Sequence, residues 1–117
     1  MVILLTGSSR GIGAALASSF TKSGHTVLLV SRNKTALRQV SETCNREAGE
    51  KLAFPIPFDL MDLPDLEKEF ISLLGEHTQT IDALFNNAGQ LFRKPFHEVS
   101  LKDARNLFDV NFFVPLN

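Results

Sequence analysis

Thr6-Gly7-Ser8-Ser9-Arg10-Gly11-Ile12-Gly13 sets three glycines between an apolar run, Val2 to Leu5, and a stretch of helical period that begins near Ile12. A strand that passes into a helix through glycines is the setting a phosphate-binding turn requires, because the helix opens with unpaired N–H groups. Glycine at position 7 permits a tight turn, and the missing Cβ at Gly11 and Gly13 lets main chain and a diphosphate approach each other. The helix dipole adds about 0.3–1 kcal/mol for an anion held there. The plainer alternative is that the glycines only ease packing of the helix on the strand.

A second group, Asn86-Asn87-Ala88-Gly89, follows the apolar run Ile81 to Phe85. Asn87 can hydrogen-bond main chain where neighbouring strands diverge, while Ala88 and Gly89 leave room for a ligand above the strand ends. A plain Asn-Gly turn is the competing explanation. Asp59-Leu60 pairs a carboxylate with an aliphatic side chain at the end of another apolar run, although Asp59 could simply start a turn. At the end of the second apolar run stand Ser31 and Arg32, with no acid. In a dinucleotide fold a carboxylate there accepts from a ribose 2′-hydroxyl, whereas a guanidinium accommodates a 2′-phosphate. Arg10, inside the glycine turn, is a second partner for phosphate. Arg32 is otherwise a solvated charge at a helix start, where the dipole disfavours an uncompensated cation.

These groups need elements to carry them. Short apolar runs alternate with longer helical stretches, the pattern of parallel strands joined by crossover helices on both faces. Val2 to Leu5, Thr26 to Val30, Leu52 to Phe58 and Ile81 to Phe85 read as the strands. Pro55 and Pro57 cannot donate to a ladder, so the third strand belongs at an edge, as the order 3-2-1-4 places it. Ile12, Leu16 and Phe20 mark the first helix, which Gly24 ends. Asn33 caps a second helix carrying Leu37, Val40 and Cys44. Asp62 caps a third, with Pro64 in its first turn and Leu66, Phe70, Leu73 and Leu74 as its buried stripe. A loop from Asn86 to Val99 leads to Ser100, the cap of a last helix carrying Leu101, Ala104, Leu107, Phe108 and Phe112. The expected fold class is α/β, a doubly wound parallel sheet.

The spacing T-G-x-x-x-G-x-G from Thr6 to Gly13 resembles the cofactor motif of the short-chain dehydrogenase/reductase family. Asn86 to Gly89 resembles that family's N-N-A-G motif, in sequence and in distance from the first. The resemblance runs from Met1 to Asn117 and implies a truncated three-layer α/β/α, Rossmann-like domain, partial over residues 1–117, that binds a nicotinamide dinucleotide. It implies cofactor contacts from Gly7, Ser9, Arg10, Gly11, Ile12 and Gly13 at the turn and from Arg32 at the ribose. Asp59 and Leu60 would lie beside the adenine, and Asn87, Ala88 and Gly89 over the strand ends. Val110-Asn111 resembles the family's helix-borne asparagine, which implies a catalytic role for Asn111 in holding a water; an ordinary exposed asparagine is the alternative. Arg10 and Arg32, with no acid after the second strand, make NADP the expected coenzyme and NAD the less favoured one. Relatives acting on nucleotide sugars space their glycines T-G-x-x-G-x-x-G, which Gly11 and Gly13 do not match.

Members of the family use a serine, a tyrosine and a lysine, the last two spaced Y-x-x-x-K, yet this chain contains no tyrosine. The resemblance therefore implies hydride transfer on a small carbonyl or alcohol substrate by a full-length protein that forms homo-oligomers. The 117 residues alone should not turn over substrate, about half of the domain being absent. Without that half, the fourth strand and Phe108, Phe112 and Phe113 should leave apolar surface open. The competing function is a non-catalytic nucleotide-binding or dimerising module.

Composition narrows the rest. A hydrophobic content of 44% suits a folded domain, and a net charge of -1 with no like-charge block gives no footprint for nucleic acid or a membrane surface. A single cysteine, Cys44, allows neither an internal disulfide nor a paired-cysteine zinc site. His25, His77 and His97 lie far apart, so no metal is expected. Val2 to Leu5 is too short for a signal-peptide core, and no run could span a bilayer; a cytoplasmic protein is expected.

Overall fold

The computed structural model describes residues 1–61 and 66–116, with side chains throughout these except at Leu66 and Glu67. Its sheet has four parallel strands in the order β3-β2-β1-β4. They are β1 (Val2–Thr6), β2 (Thr26–Ser31), β3 (Ala53–Pro57) and β4 (Ala83–Phe85). Helices α1 (Gly11–Lys22) and α2 (Lys34–Ala48) are the first two crossovers. The two faces of the pleat supply two cores, as alternation requires. Leu5, Val27, Leu29 and Ala53 are buried with Ala17, Leu37 and Cys44 of α1 and α2. Leu4, Leu28, Val30 and Ile56 are buried on the opposite face with Leu74 of the third crossover, which makes the three layers. The result is a Rossmann-like doubly wound sheet, as expected.

Packing corrects two of the helical stripes. On α1 the buried positions are Gly13, Ala17 and Thr21, while Ile12 is 74% exposed. The small face sits against the sheet because the glycine turn brings helix and strand close, and Ile12, about 100° round from Gly13, points to the open end of the fold. On α2 the buried residue between Leu37 and Cys44 is Ser41, with Val40 only half-buried. The Ser41 hydroxyl donates to the Ala53 carbonyl at 2.7 Å, and the Asn45 Oδ1 accepts from Leu52 N at 2.8 Å and Ala53 N at 2.7 Å. These bonds satisfy main-chain groups on β3, an edge strand that Pro55 and Pro57 leave short of donors.

The third crossover runs through a π-helical turn, Leu66–Phe70, into α3 (Ile71–Gly75). Leu74 is buried and Phe70 and Leu73 half-buried. Asp62 and Pro64 lie outside the described residues, as does the side chain of Leu66. Asn33 caps α2, its side chain accepting from Ala36 N at 3.0 Å. The last helix is interrupted: α4 (Leu101–Phe108) passes through a π-helical turn, Asp109–Phe113, into α5 (Val114–Leu116). Leu101, Phe108, Phe112 and Phe113 are exposed, the apolar surface expected at the last helix, since no layer covers that side among the described residues.

Ser100 and Asp103 form a reciprocal capping box at the start of α4. The Lys94 ammonium, donating to the Asp103 carboxylate at 3.0 Å, holds its pKa down to about 2, with further help from Ser100. An ordinary aspartate titrates near 3.9. The folded value is depressed, so the stabilisation is present above about pH 4 and is lost as the pH falls towards 2. Circular dichroism of the chain and its Asp103→Asn variant should show more helix in the unmodified chain at pH 5. The two should converge near pH 2; a gap that persists there would contradict this role for Asp103.

Candidate functional site

Gly7 and Gly11 have φ of 66° and 56°, the left-handed region in which a side chain is strained. A Cβ on Gly13 would lie 2.2 Å from the Gly7 carbonyl oxygen and 2.7 Å from Asn87 Nδ2, so only glycine fits. A Cβ on Gly11 would meet nothing within 4 Å, which leaves open space beside the main chain. The turn is tied to β2 by Ser8, whose N–H and hydroxyl both donate to the Val30 carbonyl at 3.3 Å.

The start of α1 differs from those of α2 and α4. Arg10 occupies its N-cap position in extended conformation and makes no side-chain cap bond, and no acid stands in the first turn. By contrast, α2 and α4 are closed by Asn33 and by the Ser100–Asp103 box. The first-turn N–H groups of α1 thus lack a side-chain acceptor, and an anion would satisfy them.

The two glycine-bearing motifs form one unit. The Asn87 amide donates to the Thr6 carbonyl at 3.2 Å and to the Gly7 carbonyl at 3.1 Å. The Thr6 hydroxyl accepts from Asn87 N at 3.1 Å and Ala88 N at 3.0 Å, and donates to the Phe85 carbonyl at 3.4 Å. Asn87 therefore splices the ends of β1 and β4 where they part, and the cleft opens above that point.

A cleft of about 360 Å³ lies over the C-terminal ends of the strands. The structure brings around it Gly7, Ser9, Arg10, Gly11, Ile12 and Gly13 from the turn, Arg32 from the end of β2, Asp59 and Leu60 after β3, and Asn87, Ala88 and Gly89 after β4. Arg10 and Arg32 are exposed at its rim, and neither is in an ion pair among the described residues. Asp59 lines the cleft, and its carboxylate accepts from Met61 N at 3.0 Å, so it starts a turn as well. Val30, Phe58, Met61, Gln90 and Val114 line the cleft without having been singled out. Each except Val114 adjoins a residue that was, and adjacency at a strand end was the signal available.

Asn111 does not line the cleft. Its Oδ1 accepts from Gln90 N and its Nδ2 donates to the Gln90 carbonyl, both at 2.9 Å. The amide is thereby spent on the main chain just after Gly89, and the π-helical turn around Asn111 sets it there. The histidines stay apart: His77 packs against the Phe54 ring at 5.5 Å, and His97 lies 3.7 Å from the Glu98 carboxylate. Burial pushes the Cys44 thiol up, away from thiolate chemistry. Among the described residues no helix is long and apolar enough to cross a membrane.

Comparison with known proteins accounts for this arrangement. The chain is 36% identical over 113 residues to an 11-beta-hydroxysteroid dehydrogenase-like protein of Arabidopsis thaliana, covering 96% of this chain and 36% of that one. It is 35% identical over 112 residues to a probable NADP-dependent dehydrogenase of Dichelobacter nodosus, covering 95% of this chain and 100% of that one. A metagenomic short-chain oxidoreductase solved in complex with NADP superposes with a TM-score of 0.85 at 32% identity, over 99% of this chain and 52% of its own. The chain thus spans about a third to a half of the first and third of these proteins. A family model described as short chain dehydrogenase matches residues 1–117, and with the glycine turn, the Asn87 splice and the sheet order in place, the chain belongs to the short-chain dehydrogenase family.

Proposed function

We propose that this chain is the dinucleotide-binding part of an NADP(H)-dependent oxidoreductase acting on a carbonyl or alcohol, a partial domain whose remainder would supply the substrate pocket. The observation that carries this is the uncapped start of α1, opening without an acid into a cleft rimmed by Arg10 and Arg32. The first-turn N–H groups would take the diphosphate in the space that Gly11 leaves open, as Gly7, Ile12 and Gly13 shape the turn. Arg10, Arg32 and Ser9 would hold a ribose 2′-phosphate, since a guanidinium fits phosphate and no carboxylate stands at the end of β2. The Asp59 carboxylate would accept from the adenine amino group while Leu60 packs on the ring. Asn87, Ala88 and Gly89 would bound the nicotinamide end. Asn111 would act there indirectly, by fixing Gln90.

The bound coenzyme supplies the hydride chemistry; the residues of this chain bind it, orient it and exclude water from it. A chain without tyrosine offers no counterpart to the family's proton donor, so the 117 residues should bind coenzyme without turnover. The NADP named for the Dichelobacter relative and held by the metagenomic oxidoreductase supports the coenzyme preference. Exposed Leu101, Phe108 and Phe112 support self-association, and the single Cys44 suits a cytoplasmic setting. Calorimetric titration with NADPH and NADH tests the proposal. NADPH should bind about tenfold tighter; tighter NADH binding would refute the preference, and affinity for neither would refute the function.

A second reading is a nucleotide-binding or dimerising module without catalysis, which stable folding of the 117 residues by themselves would favour. Turnover by the longest polypeptide expressed from the same reading frame separates the two, since the module would show none.

A further inference from the structure

Sulfur occurs in this chain at Met1, Cys44 and Met61 alone. Met1 is 64% exposed and precedes β1, at the end of the sheet opposite the cleft. The Cys44 thiol is buried between α2 and the sheet. Met61 differs from both: it is half-buried and lines the cleft. Its neighbours Phe58 and Leu60 pack against the core on one face of the sheet, whereas Met61 packs against neither core among the described residues. Its N–H donates to the Asp59 carboxylate at 3.0 Å, and that turn keeps Met61 at the cleft. A methionine placed this way is open to small oxidants, and its oxidation alters the wall of the cleft without touching what holds the sheet together.

We propose that Met61 is a peroxide-sensitive modification site: its sulfoxide weakens the hold on the adenine end of the coenzyme, and bound coenzyme in turn shields the thioether. This rests on the dinucleotide reading given above and goes beyond it in making coenzyme binding responsive to a hydroperoxide. The Met61 sulfur attacks one peroxide oxygen, the O–O bond breaks as the S–O bond forms, and the other oxygen leaves as water after proton transfer. Sulfur is oxidised and peroxide reduced, with no further reactant. The product places a polar, chiral group in a wall that Phe58, Leu60 and Met61 otherwise make apolar, beside the Asp59 carboxylate.

Dilute hydrogen peroxide on the 117-residue chain, followed by peptide mass spectrometry, should find both Met61 and Met1 oxidised. Saturating NADP⁺ should slow oxidation of Met61 at least about fivefold and leave Met1 unchanged, because only the coenzyme-free form reacts. Adenosine 2′,5′-bisphosphate, which lacks the nicotinamide, should protect as well, and nicotinamide mononucleotide should not. Calorimetry should find NADP⁺ bound about tenfold more weakly by the oxidised chain. The melting temperature should move by less than about 2 °C, and methionine sulfoxide reductase with a thiol should restore the affinity. Met61→Leu should bind NADP⁺ equally before and after peroxide. A Met61 that resists peroxide, oxidation without loss of affinity, an equal loss in Met61→Leu, or no protection by NADP⁺ would overturn the role of Met61 while leaving the coenzyme reading intact. Absence of NADP⁺ binding by the unmodified chain would overturn both.

Discussion

Replacing Gly13 by alanine should abolish NADPH binding and lower the melting temperature by about 10 °C. The new Cβ would sit 2.2 Å from the Gly7 carbonyl oxygen, 2.8 Å from Ser8 Cα and 2.7 Å from the Asn87 amide nitrogen. Two of these are backbone atoms in a turn pinned by Ser8 to β2, so they cannot swing aside as the tip of a long side chain would. Overpacking of a tight core costs about 1–3 kcal/mol, and this site falls at the upper end because relief also breaks the Asn87 bonds to Thr6 and Gly7. Gly11→Ala is the informative control. Its Cβ meets nothing within 4 Å, so its cost is the left-handed strain alone, about 1 kcal/mol, yet it fills the space in which the diphosphate is proposed to sit. Calorimetry should find binding lost in both variants, whereas thermal unfolding should find only Gly13→Ala severely destabilised. A Gly13→Ala protein that melts like its parent would mean that turn and splice are not packed as described.

How much of this was legible in the residues follows from the kind of force that acts at each position. The strands could be read because Val2 to Leu5 and Thr26 to Val30 are buried on both faces and so appear as unbroken apolar runs. The edge place of β3 could be read because proline's missing donor is a local property, independent of the rest of the fold. Periodicity held for Leu16 and Phe20, which pack against the core, and misjudged Ile12, which continues the spacing but turns to the cleft because the residues nearest the sheet are those small enough to let the helix approach. Ser41 escaped for a similar reason: a polar residue on a buried face is invisible until its acceptor, the Ala53 carbonyl, is seen.

The site was legible wherever backbone geometry demanded a residue type. Gly7 and Gly11 need positive φ and Gly13 needs the absence of a Cβ, so these positions announce themselves. Side chains that act through their partners were not visible in the same way. Nothing in the residues signalled that the Asn111 amide grips both main-chain polar groups of Gln90, 21 positions earlier in the chain. The π-helical turn that aims it leaves no mark in the local composition. A hydrogen bond between the Ser9 and Ser31 hydroxyls likewise joins residues 22 apart, and only the turn's closure on β2 reveals it.

Changing Arg32 to aspartate should reverse the coenzyme preference. Arg32 is exposed on the rim of the cleft, immediately after Ser31 and before the Asn33 cap of α2. Loss of a hydrogen-bonded cation costs about 1.5–3 kcal/mol against phosphate, and a carboxylate in its place adds repulsion, so NADPH should bind about 100-fold more weakly. NADH should bind as well as before or better, because the new carboxylate can accept from a ribose 2′-hydroxyl. The fold should not suffer: an acid next to the start of α2 is favoured by the helix dipole by about 0.3–1 kcal/mol, so the variant should melt no lower than its parent. That separation makes the substitution decisive, since a change in binding cannot be blamed on unfolding. Salt gives an independent reading, because raising ionic strength should weaken NADPH binding in the parent far more than in the variant. Equal weakening of both coenzymes by Arg32→Asp would place Arg32 among ordinary surface charges and leave Arg10 as the sole cation at the 2′-phosphate.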